Sequence, residues 1–225
     1  MWVKICGNTN LKDAALAAEL GADAVGFIFA ESKRQVTTEQ VAAITPHLPA
    51  GVEKVGVFHT HNPDPIAHSA QAAGLTAVQL HGGFDEELLE HLNEILGPGV
   101  RIIQTLHWTL GDPSAALQVT EGLRRIDALG ITDRVLIDSK VGEVGGGTGV
   151  AFDWTQARAV FEAAPDGLHL ILAGGLKPAN VAEAIESLMP WGVDVSSGVE
   201  TSPRHKDPQA VADFVENARG TKKPS

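Results

Sequence analysis

Cysteine, long apolar runs and positive charge are all scarce in this chain of 225 residues. A single cysteine excludes an intramolecular disulfide and fits a reducing compartment. No apolar run approaches the roughly 18 residues that cross a bilayer, and no basic and apolar leader opens the chain. The 17 basic and 28 acidic residues give a net charge of −11, which argues against a nucleic-acid or anionic-membrane partner. We therefore expect a folded cytoplasmic protein with no membrane segment.

What the chain has instead is a regular alternation of two kinds of segment. Short β-branched or apolar runs predict eight strands, at Val3–Cys6, Ala24–Phe29, Val52–Phe58, Thr76–Leu80, Val100–Leu106, Arg134–Ile137, Leu168–Leu172 and Val193–Val195. Stretches rich in Ala and Glu predict eight helices, at Leu11–Leu20, Thr38–His47, Pro63–Ala73, Asp85–Leu96, Pro113–Leu129, Asp153–Ala163, Pro178–Met189 and Asp207–Ala218.

Eight strands that alternate with eight helices require a parallel sheet. The sheet is either open and doubly wound or a closed (β/α)8 barrel. The count of eight and the lack of a GxGxxG turn after the first strand favour the barrel. We predict an α/β fold with one barrel domain over residues 1–219 and a frayed tail over 220–225.

Active sites of such barrels lie at the C-terminal ends of the strands. Gly174-Gly175 and Ser196-Ser197-Gly198 end the last two strands with small residues, where barrels frequently bind phosphate. A Gly-rich loop that includes Gly147 follows strand six and is by itself equally consistent with a mobile surface loop. Six basic residues are also predicted in the loops at this end, which suits a small anionic substrate: Lys33, Arg34, Lys140, Lys177, Arg204 and Lys206.

Cys6 and Asp138 are the candidates for acid–base chemistry, because they end strands one and six on the same side of the barrel. Nearby cations could lower the thiol pKa, and partial burial could keep the carboxyl protonated. The alternative is structural, with Cys6 as a small buried apolar residue and Asp138 as a cap.

Strand alternation places Lys4 and Asp194 on neighbouring strands, facing the barrel interior. We predict an ion pair between them, since an unpaired buried lysine is costly. His59 and His61 could suggest a metal, but no acidic residue at suitable spacing completes a set of ligands, so no metal site is predicted.

Taken together, these motifs resemble the phosphoribosylanthranilate isomerase family over about residues 3–218. The matching stretches include Lys4–Thr9, Gly21–Phe29, Val55–Phe58, Val78–Gly82, Leu136–Ser139, Gly146–Gly149, Phe152–Trp154, Ala173–Leu176 and Val193–Glu200. One departure is the loop Ala30–Gln35, which is shorter than usual in the family and lacks its aromatic residue.

The resemblance implies an Amadori rearrangement in tryptophan biosynthesis, carried out without a metal or organic cofactor on a phosphorylated aminosugar. Cys6 would be the general base, Asp138 the general acid, and Arg34 would bind the anthranilate carboxylate. The predicted substrate-binding set is Arg34, His81, Gly147, Gly174, Gly175, Asp194, Ser196, Ser197 and Gly198. The chain is expected to be a monomer or a homodimer.

Two other kinds of protein compete with this interpretation. One is a different phosphosugar barrel enzyme: an epimerase would need metal ligands, and an aminoaldose isomerase would need an aspartate where Cys6 stands. The other is a phosphate-binding barrel without catalysis, against which the presence of both Cys6 and Asp138 argues.

Overall fold

Eight parallel strands form a closed barrel in the order β1 to β8 in the computed structural model, which describes residues 1–141 and 154–220. The strands are Trp2–Ile5, Ala24–Ile28, Glu53–Phe58, Ala77–Leu80, Arg101–Leu110, Arg134–Val141, His169–Ala173 and Gly192–Val195. The ring closes where β1 pairs with β8, with Lys4 opposite Asp194. The predicted barrel is thus confirmed.

In the described part of the chain, eight α-helices, α1 to α8, alternate with these strands. They span Leu11–Glu19, Thr38–Ala42, Pro63–Ala72, Glu86–Ile95, Ala115–Leu129, Trp154–Glu162, Val181–Leu188 and Pro208–Gly220. Side-chain caps explain several starts: Asp85 accepts a hydrogen bond from the Leu88 amide, and Thr37 forms a capping box with Gln40.

Some predicted boundaries were wrong. Strands β5 and β6 continue past the predicted ends and pair in register as far as Leu110 and Val141, because the two strands satisfy each other's backbone groups. Asp138 and Lys140 therefore lie within β6 rather than after it. The predicted helix at Thr38–His47 is instead α2 followed by a separate 3-10 turn at Thr45–His47.

The helix predicted from Pro178 begins only at Val181, because a turn closed by Lys177 and Asn180 precedes it. A short antiparallel pair that was not predicted, β9 at Glu200–Ser202 and β10 at His205–Lys206, precedes α8. Gly220 belongs to α8 although the prediction placed it in the tail, and residues 221–225 lie outside the described part.

The hydrophobic core has two parts. The larger one lies between the outer surface of the sheet and the surrounding helices. The smaller one fills the barrel interior and lies mostly toward the N-terminal ends of the strands, although Ala173 ends β7 and also lines the cavity described below. Its buried members are Trp2, Ala24, Val55, Ala77, Ile103, Leu136, Ile171 and Ala173. The interior is therefore closed by apolar packing at one end, which leaves the other end for polar side chains. None of the helices within the described residues is long and apolar enough to span a membrane.

Candidate active site

A cavity of about 1200 Å³ opens at the C-terminal ends of the barrel strands. Its wall contains both predicted catalytic residues, Cys6 and Asp138. It also contains seven of the predicted substrate-binding residues: His81, Gly174, Gly175, Asp194, Ser196, Ser197 and Gly198. Arg34 is not among the described residues of this wall, and Gly147 lies outside the described residues. The geometric premise of the sequence interpretation, a thiol and a carboxyl facing one cavity, is thus met.

The Cys6 side chain is buried and packs over Gly26 on the neighbouring strand β2. A Cβ atom at position 26 would lie only 2.7 Å from Cys6 Sγ, so only glycine leaves room for the thiol in this position. Gly26 is a neighbour that sequence reasoning did not single out as part of the site.

Burial raises the pKa of the Cys6 thiol above its usual value, although Lys4 and Lys206 oppose this effect. The direction is opposite to the lowering considered from the sequence, because two cations do not compensate for removal of the thiolate from water. At neutral pH Cys6 is therefore mainly a thiol.

Lys4 forms the predicted ion pair inside the barrel. Its Nζ atom is 2.9 Å from Asp194 Oδ1 and 2.9 Å from Gln79 Oε1, and its side chain is fully buried. Burial by itself would lower the pKa of Lys4, but Asp194 and Cys6 outweigh that penalty and raise it. Lys4 is therefore a fixed positive charge beneath the cavity floor.

Asp138 lies on β6 beside two histidines. Its Oδ2 atom is 3.7 Å from His81 Nε2 and 3.8 Å from His107 Nδ1. The rings of His81 and His107 meet edge to face, with centroids 4.8 Å apart. His107 was not singled out from the sequence.

The end of strand β6 and the loops after β7 and β8 pack directly against each other at the cavity rim. A Cβ atom at Gly174 would lie 2.3 Å from the Ser139 carbonyl oxygen, and one at Gly198 would overlap the Leu176 carbonyl. Gly174 and Gly175 also have positive φ angles of 91° and 66°. Glycine is required here both for backbone conformation and for close approach, which leaves a narrow backbone-lined rim.

Arg34 and Lys206 converge on Glu200, a residue that the predicted site did not include. Arg34 donates from Nε (2.7 Å) and Nη2 (2.5 Å) to the two Glu200 carboxylate oxygens. Lys206 Nζ donates to Glu200 Oε1 at 3.0 Å and to the carbonyls of Cys6 and Ser196 at 2.6 and 3.0 Å. This group, the Glu200 cluster, connects the ends of β1 and β8 with the β2 loop.

The Glu200 cluster corrects the prediction that six basic residues form an open positive surface at the C-terminal end of the barrel. Burial alone would raise the pKa of Glu200, but Arg34 and Lys206 hold it below its usual value. Burial lowers the pKa of Lys206 despite the nearby carboxylate. Two of the six basic residues thus form buried ion pairs rather than an open positive surface, because burial of either without an anion would be costly.

Comparison with known proteins gives one consistent result. The profile of the family described as N-(5'phosphoribosyl)anthranilate (PRA) isomerase matches residues 3–217. The N-(5'-phosphoribosyl)anthranilate isomerase of Thermotoga neapolitana is 42% identical over 220 residues, which cover 97% of this chain and 98% of that protein. The corresponding protein of Methanocella arvoryzae is 39% identical over 222 residues, or 98% and 99% of the two chains.

Solved structures agree with the sequence matches. The crystal structure of phosphoribosyl anthranilate isomerase from Thermotoga maritima has a TM-score of 0.83 at 38% identity and covers 98% of this chain and 99% of that one. A second structure holds reduced 1-(o-carboxyphenylamino)-1-deoxyribulose 5-phosphate, with a TM-score of 0.80, 35% identity and the same coverage. Profile, relatives and structures thus agree over nearly the full length, and the chain belongs to the N-(5'-phosphoribosyl)anthranilate isomerase family.

Proposed function

We propose that this chain converts N-(5-phosphoribosyl)anthranilate to 1-(2-carboxyphenylamino)-1-deoxyribulose 5-phosphate, with Asp138 as the general acid and Cys6 as the general base. The observation that carries the assignment is that both side chains line one cavity from β1 and β6, which are separated by β7 and β8. Two such groups can act on opposite ends of the same small substrate.

The proposed reaction moves protons only. Asp138 donates a proton to the furanose ring oxygen, and the ring opens to a Schiff base between the anthranilate nitrogen and C1'. The Cys6 thiolate then removes the proton from C2', and the resulting enolamine takes up a proton at C1' while its C2' hydroxyl loses one, which gives the ketose. No atom is gained or lost overall, and this course requires neither a metal nor an organic cofactor.

The substrate phosphate is assigned to the rim loops. Gly174, Gly175, Ser196, Ser197 and Gly198 all line the cavity and supply backbone amides and hydroxyls. Gly147 is retained in this set from the sequence alone. His81 and Asp194 are retained as substrate contacts because both line the cavity.

Arg34 is assigned to the anthranilate carboxylate in a modified way. The Nε–Nη2 edge of its guanidinium group already binds Glu200, so the substrate would use the Nη1–Nη2 edge. Glu200 would then fix the orientation of the guanidinium plane before substrate arrives, which reduces the entropy lost on binding.

The test is consumption of the fluorescent substrate by metal-free protein, followed in wild type, Cys6→Ser and Asp138→Asn. Each variant should lose about 10²- to 10⁴-fold in kcat/KM. Asp133→Asn is a matched control, since Asp133 precedes the same strand β6 at the opposite end of the barrel. Wild-type rates in either variant would remove that residue from the mechanism, and an inactive wild type would favour a binding protein without catalysis.

The raised pKa of Cys6 adds a pH dependence to this test. Because the thiolate is the active form and its pKa lies above the usual 9.0, kcat/KM should still rise with pH in the alkaline range. A plateau that begins below pH 8 would contradict this assignment of the base.

Oligomeric state and location belong to the same proposal. One structural neighbour is described as a monomer generated from a dimeric phosphoribosylanthranilate isomerase. We retain monomer or homodimer for this chain, which light scattering coupled to gel filtration would distinguish, and a cytoplasmic location in keeping with its single cysteine.

A further inference from the structure

Three potential metal ligands converge from three consecutive strands beside the cavity. His81 directly follows β4, His107 lies on β5 and Asp138 on β6, and one ligand atom from each lies within 4.8 Å of the others. The register explains the convergence, because His107 is paired with Asp138 in the β5–β6 ladder. The rigid sheet, rather than a loop, therefore positions two of the three side chains.

The hydrogen bond of His107 orients its ring for coordination. Its Nε2 atom is 3.0 Å from the His81 carbonyl oxygen, which can only accept, so Nε2 carries the hydrogen. In the neutral ring Nδ1 then presents a lone pair toward Asp138 Oδ2, 3.8 Å away. Metal-binding histidines usually donate their second ring nitrogen to a carbonyl or carboxylate in this manner, which fixes both the tautomer and the ring plane.

The spacing is close to that of a bound ion. With bonds of about 2.0–2.2 Å, the ligand atoms of a tetrahedral zinc site lie about 3.3–3.5 Å apart. The two imidazole–carboxylate distances of 3.7 and 3.8 Å need to shorten by only a few tenths of an ångström, and the two imidazole nitrogens, which lie within 4.8 Å of each other, have to approach as well. All three side chains are 20–30% exposed, so water can complete the coordination sphere.

We propose that His81, His107 and Asp138 form a site for a divalent transition metal such as Zn²⁺ or Co²⁺. Two imidazoles and one carboxylate favour these ions over Mg²⁺ and Ca²⁺, which prefer oxygen ligands. The second part of the proposal rests on the proposed function: bound metal inhibits the isomerase, because a coordinated Asp138 carboxylate cannot donate a proton. The metal is thus an inhibitor that competes with substrate, not a cofactor.

The experiment titrates Co²⁺ into tag-free, chelator-treated protein and follows visible absorption, which reports coordination without any enzyme assay. Wild type should bind one Co²⁺. His107→Gln and Asp138→Asn should weaken binding by more than the about 10- to 100-fold that loss of an outer-shell partner costs. His59→Gln is the matched control, because His59 also lines the cavity but is outside the cluster, and it should bind as wild type does.

Three results would overturn the assignment: wild type binds no Co²⁺, folded His107→Gln binds it as tightly as wild type, or His59→Gln loses as much affinity as the cluster variants. A sulfur-to-cobalt charge-transfer band in the near ultraviolet would place the ion on Cys6 instead. Circular dichroism of each variant shows whether it is folded, and binding retained by an unfolded variant would also count against the site.

The inhibition part has a separate readout. In turnover assays Zn²⁺ should raise the apparent KM for substrate, while Mg²⁺ at the same concentration should leave it unchanged. Metal that binds an active enzyme without slowing it would overturn the inhibition but not the site. An inactive wild type that binds Co²⁺ would instead refute the proposed function and leave the metal site standing.

Discussion

The two ends of the barrel are made by the same eight strands and differ sharply in composition. At the N-terminal end Trp2 stacks on Trp191, with ring centroids 5.4 Å apart, and the Arg134 guanidinium covers both rings while pairing with Glu53 at 2.7 Å. At the C-terminal end the interior is polar and open, with Lys4, Asp194 and the catalytic candidates around a cavity. One end is built for packing and the other for proton transfer, so substitutions should separate stability from activity.

Trp2→Ala should show the largest effect on the packing end. Loss of a buried tryptophan in contact with Trp191 and Gly192 should lower the free energy of unfolding by about 3–5 kcal/mol. The cavity is at the other end, so kcat/KM of the folded fraction should stay within about twofold of wild type. Urea unfolding and initial rates measure the two quantities, and Trp2→Phe serves if the alanine variant does not fold. A loss of activity that exceeds the unfolded fraction would show that the two ends of the barrel are not independent.

Lys4→Met tests the layer that lies between the two ends. Removal of this buried cation leaves Asp194 with one hydrogen-bond donor fewer, at a cost of about 3 kcal/mol in the free energy of unfolding. It also removes a charge that lowers the pKa of Cys6, so the alkaline limb of kcat/KM should move to higher pH. The double variant with Asp194→Asn should recover part of the stability and also part of the shift of the pH limb, because Asp194 raises the pKa of Cys6. Full recovery of both would assign Lys4 a purely structural role.

Gly26→Ala should lower kcat more than its cost in stability suggests. The new methyl group would lie 2.7 Å from Cys6 Sγ and 3.1 Å from Cys6 Cα, so the thiol must move. Overpacking should cost about 1–3 kcal/mol, and kcat should fall at least about tenfold as the base is displaced. Gly51→Ala is the control, since nothing lies within 4 Å of a Cβ there. Equal effects of the two variants on kcat would show that the position of the thiol does not depend on Gly26.

Glu200→Gln should give the smallest change in stability, about 1–2 kcal/mol at pH 7, because Gln keeps one acceptor oxygen. The pKa of Glu200 lies below its usual 4.5, so the ionised carboxylate stabilises the folded state above that pH and this contribution is lost as the pH falls below it. The melting temperatures of wild type and variant should therefore converge as the pH falls below about 4.5. A constant difference over this range would mean that the ion pairs contribute nothing.

The sequence predicted the order of the strands and helices correctly, but several of their boundaries were wrong. Within the described residues, the eight strands and eight helices lie where periodicity predicted them, but the ends of β5 and β6 shift by four residues and the end of α2 by five. Those two strands extend because each supplies the other's backbone partners, and that pairing is not visible in either segment alone. His107 was missed because the predicted strands five and six ended before the point where His107 pairs with Asp138.

The Glu200 cluster was missed for a related reason. Arg34 and Lys206 were predicted to form part of an open positive surface because both fall in strand-to-helix loops at one end of the barrel. Arg34 is far from Glu200 in the sequence, and Lys206, six residues from it, was not predicted to turn back on it. Only the folded chain brings residues 166 positions apart, Arg34 and Glu200, within 2.7 Å. Their burial then forces them to pair.

The order of apolar and Ala-rich segments was by itself sufficient to determine the barrel, the face that carries the chemistry, and the Lys4–Asp194 pair. These follow from periodicity and from the closure of eight parallel strands, which are properties of the chain read in sequence. Tertiary structure alone decided the direction of the Cys6 pKa shift, the partner of Arg34 and the neighbours of Asp138. Each of these depends on desolvation and on charges brought together from distant positions, and no local pattern records such proximity.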